Sequence, residues 1–145
     1  WSQCPPEVWR KERTAARENM RHDIEFHAYG SDIDEAALEI ARENAKRAGV
    51  ENYVTFKKAD VRDFKPVTEK ATVICNPPYG ERLLDAESAH EIYKILGKRF
   101  TPQKGRSYEI ITADEEFEKM FGRKADKRRK LYNGMIKCQV YMYFK

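Results

Sequence analysis

The run Asn76-Pro77-Pro78-Tyr79 is the part of the sequence best suited to chemistry. It follows the apolar stretch 71–75, whose composition is typical of a strand buried in a parallel sheet. The Asn76 side chain offers an amide oxygen, and the two prolines offer carbonyls but no N–H. These acceptors are suited to an exocyclic amino group on a planar substrate, and the ring of Tyr79 can stack on that plane.

Such a corner can activate an amino nitrogen without a strong base. The lone pair of an exocyclic amino group is delocalised into its ring, so the nitrogen is a poor nucleophile. Acceptors that hold its two hydrogens favour a pyramidal geometry and free the lone pair for attack on an activated methyl group. Positioning and electrostatics would then carry the reaction. Our candidate catalytic residues are therefore Asn76, Pro77, Pro78 and Tyr79.

Two carboxylates follow the first predicted strand, residues 24–30. Asp32 is placed to accept hydrogen bonds from the two hydroxyls of a ribose, with Asp34 supporting it or capping the next helix. The structural alternative is a capping box that pairs Asp32 with Glu35, three residues later. Both interpretations stay open from these residues alone.

A third carboxylate follows the next predicted strand, residues 53–60. Asp60 ends this strand much as Asp32 ends the first, so it is placed to accept a hydrogen bond from the amino group of a nucleoside base. Val61 beside it is placed to pack on the face of that base. The alternative is a turn aspartate with a purely structural role, and Asp63 competes for the same binding role.

Helical and strand patterns alternate along the chain and would place these side chains at strand ends. This order indicates a doubly wound α/β fold with a mostly parallel sheet and a closing antiparallel hairpin. Ligands of such sheets bind outside the carboxyl ends of the strands. The patterns predict helices over 5–20, 34–49, 88–100 and 114–121, strands over 24–30, 53–60, 71–75 and 108–113, and a hairpin over 129–144 joined at Asn133-Gly134.

The net charge of +4 is concentrated in one segment. Residues 123–130 contain six positive side chains and one negative, a local charge of +5 that leaves −1 for the rest of the chain. Such a segment can bind phosphates, and its candidate nucleic-acid contacts are Arg128, Arg129 and Lys130. The alternative is a solvated loop or helix face that binds nothing.

Composition argues against several classes of protein. No stretch approaches the roughly 20 apolar residues of a membrane span, so no membrane partner is expected. The three cysteines are widely spaced without a CxxC pair, and the three histidines show no ligand spacing. Neither a disulfide framework nor a metal site is therefore predicted, and a reducing cytoplasm is the expected setting.

Three motifs in order, GSDIDEAALEIARENAKRAG, KADVRDF and NPPYGERL, resemble those of the S-adenosylmethionine-dependent amino methyltransferases with an Asn-Pro-Pro-Tyr motif. Among these, the chain is similar to the branch that methylates guanine N2 in RNA, typified by the ribosomal large-subunit RNA methyltransferases. In that branch NPPYGERL and a closing hairpin like KLYNGMIKCQVYMYF recur. The resemblance covers the chain from Ile24 to its C-terminus.

The resemblance implies a Rossmann-like methyltransferase sheet and a role for each motif. Asp32 would bind the ribose of S-adenosylmethionine and Asp60 its adenine amino group, and residues 76–79 would form the target-base site. The implied cofactor-binding residues are Asp32, Asp34, Asp60, Val61 and Asn76.

The implied reaction is methyl transfer from S-adenosylmethionine to the N2 amino group of guanine in RNA, with 23S ribosomal RNA as the expected substrate. One alternative is N6-adenine methylation of DNA, which uses the same corner motif. An alternative of another class is a module that only binds nucleic acid or protein. The basic segment does not separate them, because phosphate contacts carry little sequence information.

Two parts of the family pattern are missing from the sequence. The family has an earlier strand with a glycine-rich loop that cradles the methionine half of the cofactor, and usually an N-terminal THUMP-type RNA-binding domain. Residues 1–23 supply neither, and no GxG occurs anywhere. We therefore expect a partial catalytic domain over 1–145 that is inactive alone and associates with itself through exposed strand edges. Its expected parts are a helix at 5–20, a motif-bearing core at 24–122, and the basic segment with the hairpin at 123–145.

Overall fold

Helices and strands alternate along the chain, as the patterns predict. The structure, a computed structural model, describes residues 3–21, 23–79 and 86–144. None of the helices in these ranges has the length and apolar character needed to cross a membrane. The elements are α1 (Pro6–Glu18), β1 (Ala28–Asp32), α2 (Glu35–Ala48), β2 (Val54–Lys58), β3 (Ala71–Cys75), α3 (Ala86–Arg99), β4 (Arg106–Thr112), α4 (Phe117–Phe121), β5 (Lys127–Asn133) and β6 (Ile136–Phe144), with single 3₁₀ turns at Glu51–Tyr53 and Val61–Asp63.

The strands form two sheets. β1 and β2 make a parallel pair, and β3, β4, β6 and β5 make a four-stranded sheet in that spatial order. β3 is parallel to β4, whereas β6 is antiparallel to both β4 and β5. Within the described residues β1 pairs only with β2, and β3 only with β4, so each keeps one open edge. The pairing therefore agrees with the prediction of exposed strand edges.

The first strand begins later than predicted. The alternation of Ile24, Phe26 and Ala28 predicts a strand over 24–30, but pairing starts only at Ala28, opposite Val54. Ile24 and Phe26 are 47% and 60% exposed. Alternation alone does not make a strand, because the backbone needs a partner, and residues 24–27 have none in the described part of the chain.

Two features of the sequence determine helix α2, namely its end residues and a narrow stripe of apolar side chains. Leu38 and Ala45 are buried against the β1–β2 pair. The helix ends at Gly49, whose φ of 70° is a left-handed conformation that glycine adopts without steric cost. The predicted stop at Gly49 is therefore confirmed.

The main core lies between the four-stranded sheet and the helices α3 and α4. It is unusually aromatic, with the rings of Phe117 and Tyr141 4.7 Å apart and those of Phe100 and Tyr108 stacked at 4.9 Å. Phe64, which follows β2, joins this core through an edge contact with Phe100 at 5.1 Å. The buried cluster consists of Ala89, Tyr93, Leu96, Phe100, Tyr108, Ile110, Phe117, Phe121, Tyr141 and Tyr143.

Helices α3 and α4 approach each other closely at a glycine. A Cβ built on Gly97 would lie 2.0 Å from the carbonyl oxygen of Phe121, so no larger residue fits without moving the backbone. α4 itself begins at Phe117 and not at Asp114 as predicted. Asp114 still precedes the helix as a local cap, because its carboxylate accepts a hydrogen bond from the Glu116 N–H at 2.8 Å.

The closing hairpin is confirmed, with its turn shifted by one residue. Asn133 pairs with Ile136, so the two central residues of the turn are Gly134 and Met135. Gly134 has a φ of 62°, which matches a turn with glycine at its first central position. The Asn133-Gly134 pair thus marks the hairpin correctly, but Asn133 belongs to the strand.

Candidate active site

The predicted carboxylates lie at the carboxyl ends of two neighbouring strands. Asp32 ends β1 opposite Lys58, the last residue of β2, and its carbonyl accepts a hydrogen bond from the Ala59 N–H at 2.9 Å. Asp60 comes two residues after Lys58, so both carboxylates belong to the same edge of this parallel pair. This is the edge at which open α/β sheets bind their ligands.

The structure separates the roles of the first two carboxylates. Asp34 caps α2, since its Oδ1 accepts from the Ala36 N–H at 2.9 Å. Asp32 Oδ1 accepts from the Asp34 N–H at 2.9 Å, which fixes the Asp32 carboxylate. The capping-box alternative is wrong, because Glu35 pairs with Arg42 at 2.8 Å and Asp32 is not the cap. Asp32 Oδ2 has no partner among the described residues and is available to a ligand.

Asp60 is already engaged by its neighbour Arg62. Its Oδ1 accepts from the Arg62 N–H at 2.8 Å, and its Oδ2 accepts from the guanidinium at 2.7 Å. These contacts lower the pKa of Asp60, chiefly through the side-chain hydrogen bond with Arg62. Asp60 therefore caps the 3₁₀ turn that follows it, as the structural alternative predicts, and its contact with a base amino group stays a prediction.

The segment after β2 is tied to the main core through Val61. Its side chain is partly buried and packs against the aromatic cluster, and the turn it begins contacts α3. Asp63, the alternative candidate for the contact with a base amino group, is exposed. The carboxylate edge and the corner after β3 are thereby joined through α3.

Within the described part of the chain, the corner offers one amide without a hydrogen-bond partner and one carbonyl that has a partner. Asn76 is exposed, and its side-chain amide makes no hydrogen bond within the described residues. Pro77 is buried, whereas Pro78 is half-buried and its carbonyl accepts from the Tyr93 hydroxyl at 3.2 Å. We predicted acceptors with few competing donors, and Tyr93 is such a donor. Residues 80–83 of the NPPYGERL motif lie outside the described residues.

Tyr93 and Thr112 form the support behind the corner, and the sequence did not reveal them. Tyr93 is fully buried on α3, and its hydroxyl lies 3.1 Å from the Thr112 hydroxyl at the end of β4. Burial is the main cause that raises the pKa of Tyr93, so its hydroxyl stays protonated and donates. The only sequence signal was an aromatic residue on an apolar helix face, which indicates core.

The hydroxyl of Tyr79 is held by the closing hairpin. Asn133 Nδ2 donates to it at 3.0 Å, and the buried Cys138 Sγ lies 3.7 Å away. Neither residue was predicted for the site, because Asn133 has a strong turn signal and Cys138 has no functional signal in the sequence. Cys75, directly before the corner, is unsuited to nucleophilic chemistry, because burial raises its pKa to about 11.

The basic segment is a loop over residues 123–126 and a strand from Lys127 onward. Lys127 to Lys130 lie in β5 and are exposed, with alternate side chains on opposite faces. Arg128 is engaged, because its Nε donates to Glu118 at 3.0 Å and its guanidinium lies over the ring of Tyr141. Arg129 and Lys130 point to opposite faces, so the three predicted contacts do not form one surface.

Arg123 belongs to the core more than to the basic segment. Its guanidinium lies 5.1 Å and 4.9 Å from the ring centres of Phe121 and Tyr143, and its Nη2 donates to the Phe100 carbonyl at 2.8 Å. The charge free for a nucleic acid is therefore smaller than the local +5. Elsewhere in the described ranges, no group of three His, Cys, Asp or Glu side chains is arranged to hold a metal ion.

Known proteins with this arrangement include two curated relatives. The chain is 38% identical over 144 residues to a proposed RNA methyltransferase of Bacillus subtilis, YpsC, and covers 37% of that protein. It is 35% identical over 142 residues to the ribosomal RNA large subunit methyltransferase K/L of Legionella pneumophila, and covers 20% of it. The alignments take in 99% and 97% of the present chain. The chain thus spans between a fifth and little more than a third of the length of these curated relatives.

Solved structures that are similar to the chain also include methyltransferases. SMU.472, a proposed methyltransferase crystallised with SAH, superposes with a TM-score of 0.85 at 41% identity over 99% of the chain and 38% of its own. A predicted N6-adenine-specific DNA methylase from Listeria monocytogenes superposes with a TM-score of 0.80 at 36% identity over 99% of the chain and 37% of its own. These superpositions confirm the predicted Rossmann-like methyltransferase fold.

A family match extends over almost the whole chain. Residues 1–142 match UPF0020, described as an RMKL-like methyltransferase domain. The match includes the carboxylate edge, the corner and the closing hairpin. The chain therefore belongs to the UPF0020 family of RMKL-like methyltransferase domains.

Proposed function

We propose that this chain forms part of an enzyme that methylates the N2 amino group of guanine in RNA, with 23S ribosomal RNA as substrate. The observation that carries the proposal is the corner after β3, where the Asn76 amide has no described partner and the Tyr79 hydroxyl is held by Asn133. The relatives named above for RNA methylation support RNA as the substrate class.

Asp32 is the residue best suited to hold S-adenosylmethionine. Its Oδ2 has no described partner, and its other oxygen is fixed by the Asp34 N–H, so the carboxylate is oriented before a ribose arrives. Binding of SAH by SMU.472, at 41% identity, supports this assignment. When bound, S-adenosylmethionine supplies an electrophilic methyl group.

Asp60 would contact the adenine end of this cofactor from the neighbouring strand. Arg62 occupies both of its oxygens, but the Arg62 side chain is 67% exposed and can move away. Each carboxylate oxygen also has a second lone pair, so a base amino group can be added to the existing contacts. Val61 packs against the core and would present only its outer side to the base.

The corner would bind the target amino group through its acceptors. The Asn76 amide oxygen accepts one hydrogen, and the Pro77 and Pro78 carbonyls lie next along the chain. Tyr93 donates to the Pro78 carbonyl, which holds that group in place and leaves one lone pair. Asn76 and the carbonyls draw the amino hydrogens out of the base plane, while the Tyr79 ring supports the base. No titratable group of the corner has to act as a strong base.

RNA phosphates would be contacted by the exposed face of the closing hairpin. Lys130 lies over the ring of Tyr132 at 5.1 Å, and Lys137 pairs with Tyr132 across the hairpin. Exposed lysines beside an exposed aromatic ring are suited to a flexible nucleic acid strand. Arg129 lies on the opposite face of β5 from Lys130, and Arg128 is hydrogen-bonded to Glu118.

Methylation of adenine N6 in DNA is the second candidate. The specific observation that favours it is the likeness to the predicted N6-adenine-specific DNA methylase at 36% identity. The corner suits both bases, because guanine N2 and adenine N6 are both exocyclic amino groups on planar rings. A binding module without catalysis is the third candidate, of a different class.

One experiment separates these candidates. The whole protein that contains this chain is incubated with deuterated-methyl S-adenosylmethionine and either unmodified ribosomal RNA or DNA, and the nucleosides are identified by mass spectrometry. We expect labelled N2-methylguanosine in the RNA. Labelled N6-methyladenine in the DNA would establish the second candidate instead. No transfer to either, despite cofactor binding measured by calorimetry, would leave a binding module. Asn44→Ala, a substitution at an exposed position of α2, serves as the control variant in these assays.

A further inference from the structure

The tip of the closing hairpin reaches the tyrosine of the corner. Asn133, the last residue of β5, donates through Nδ2 to the Tyr79 hydroxyl at 3.0 Å, although the two residues are 54 positions apart. Cys138, on β6, is fully buried and lies 3.7 Å from the same hydroxyl. Two strands of the hairpin therefore meet the outer end of the Tyr79 side chain.

The Tyr79 side chain is consequently held at both ends. It follows β3, while the sheet order is β3-β4-β6-β5, so its hydroxyl reaches past the end of β4 to meet the hairpin. The residue before it is anchored separately, because the Pro78 carbonyl accepts from the buried Tyr93 hydroxyl. A tyrosine ring has two side-chain torsions, and restraints on its backbone and its hydroxyl together limit both.

We propose that Asn133 is a positioning residue that sets the orientation of the Tyr79 ring and makes the hairpin tip part of the target-base site. The inference rests on the proposed function, since that function gives the ring its stacking role. A ring that is already oriented loses its rotational freedom on folding and not on substrate binding. The bond therefore favours the aligned complex, and its loss lowers the rate of methyl transfer at saturating substrate.

Two variants remove the same hydrogen bond from its opposite ends. Asn133→Ala removes the amide and Tyr79→Phe removes the hydroxyl, so each alone should slow single-turnover methyl transfer about fivefold, the value expected for one hydrogen bond. The double variant should be no slower than either single one, because the shared contact is lost only once. Asn133→Asp, whose carboxylate accepts from the hydroxyl, should stay within about twofold of the unchanged protein.

The assay uses the whole protein with saturating RNA and S-adenosylmethionine, so that only the transfer step is measured. Met135→Ala is the matched control, because Met135 lies in the same turn and is 97% exposed. An unchanged rate in Asn133→Ala, or about a 25-fold loss in the double variant, would overturn the positioning role. An equal loss of cofactor affinity in Asn133→Ala would overturn it as well, because the change would then act on the fold.

A second readout keeps this test independent of the proposed function. In protein labelled with ¹³C-tyrosine, the Tyr79 ring signal is assigned through Tyr79→Phe and compared between Asn133→Ala and Met135→Ala. We expect Asn133→Ala alone to move it. A Tyr79 signal that is identical in both variants overturns the contact whatever the substrate is. Absence of transfer to any RNA by the unchanged protein, with the Tyr79 signal moved as expected, refutes the proposed function and confirms the contact.

Discussion

The unit β1-α2-β2 and the unit from β3 to β6 differ in how many of their side chains are buried. In the first, only Leu38 and Ala45 are buried, while Tyr29, Ile33 and Ile40 are more than half exposed. In the second, a continuous aromatic core fills the space between the sheet and its two helices. The corner after β3 is therefore supported by a well-packed core, whereas the carboxylate edge is supported by few buried side chains.

This difference indicates that the two parts of the site are held in different ways. Asp32 is oriented by a backbone N–H only two residues away, in its own loop. Pro78 and Tyr79 are held by side chains that lie 15 and 54 residues further along the chain. We expect changes at the carboxylate edge to alter ligand affinity, and changes at the corner to alter the rate.

The largest effect is expected at Asn76. Asn76→Ala removes the amide proposed to accept a hydrogen of the target amino group, so kcat should fall about 100-fold or more, the loss typical of one preorganised polar group. Cofactor affinity should be nearly unchanged, because the amide acts as the nitrogen becomes pyramidal. Methyl transfer and calorimetry on the same preparation test this, with Asn44→Ala as control. Equal losses in rate and in cofactor affinity would contradict the separation of the two parts.

The packed unit should also be the one more sensitive to an added methyl group. Gly97→Ala forces a Cβ against the Phe121 carbonyl oxygen, 2.0 Å away, so the free energy of unfolding should fall by about 3 kcal/mol. Gly49→Ala, in the unit β1-α2-β2, meets no atom within 4 Å and should cost only about 1 kcal/mol for its left-handed φ. Urea unfolding followed by tyrosine fluorescence measures both. A smaller loss for Gly97→Ala than for Gly49→Ala would show that the helices separate easily.

A moderate effect is expected at the carboxylate edge. Asp32→Ala should weaken S-adenosylmethionine binding by about 1.5–3 kcal/mol, the range for hydrogen bonds to a charged group. Asp34→Ala is the matched control, since it removes the α2 cap and should lower the free energy of unfolding by about 1 kcal/mol with little change in affinity. Calorimetric affinity that stays constant in a folded Asp32→Ala variant would leave Asp32 with a structural role only.

The smallest effects are expected on the hairpin. Arg129→Gln and Lys130→Gln should each reduce the slope of log affinity against log salt by about 0.7 on single-stranded RNA and about 0.9 on duplex. Arg128→Gln should change the slope less, because Arg128 is paired with Glu118. Binding titrations at several salt concentrations provide the test. A slope reduced by Arg128→Gln as much as by Lys130→Gln would mean that the pair opens when RNA binds.

The order of elements could be predicted from the sequence because its signals are local. The strand over 71–75 has the predicted bounds, and the stop of α2 at Gly49 follows from one residue. The predicted start of β1 was wrong, because a strand also depends on a partner strand, and pairing with β2 begins only at Ala28. Arg129 and Lys130 were predicted in the hairpin, but β5 begins two residues earlier, because Lys127 and Arg128 also pair with β6.

The supports of the site could not be predicted, because they join residues far apart in sequence. Tyr93 has the pattern of a core residue and Asn133 that of a turn residue, and neither pattern indicates a partner in the corner. That Asp34 caps α2 was one of the predicted alternatives, but only the structure shows that the cap is Asp34 and not Asp32. Self-association through the open strand edges stays a prediction.

The most direct test of the account is hydrogen exchange of the whole protein with and without S-adenosylmethionine. We propose that the cofactor binds at the carboxyl ends of β1 and β2, so the cofactor should slow exchange of the amides of Asp34, Ala59 and Arg62. Amides of β4 and β6, already protected by the aromatic core, should change little. Slower exchange confined to β4 and β6, with no change after β1 and β2, would contradict the assignment of the cofactor to the carboxylate edge.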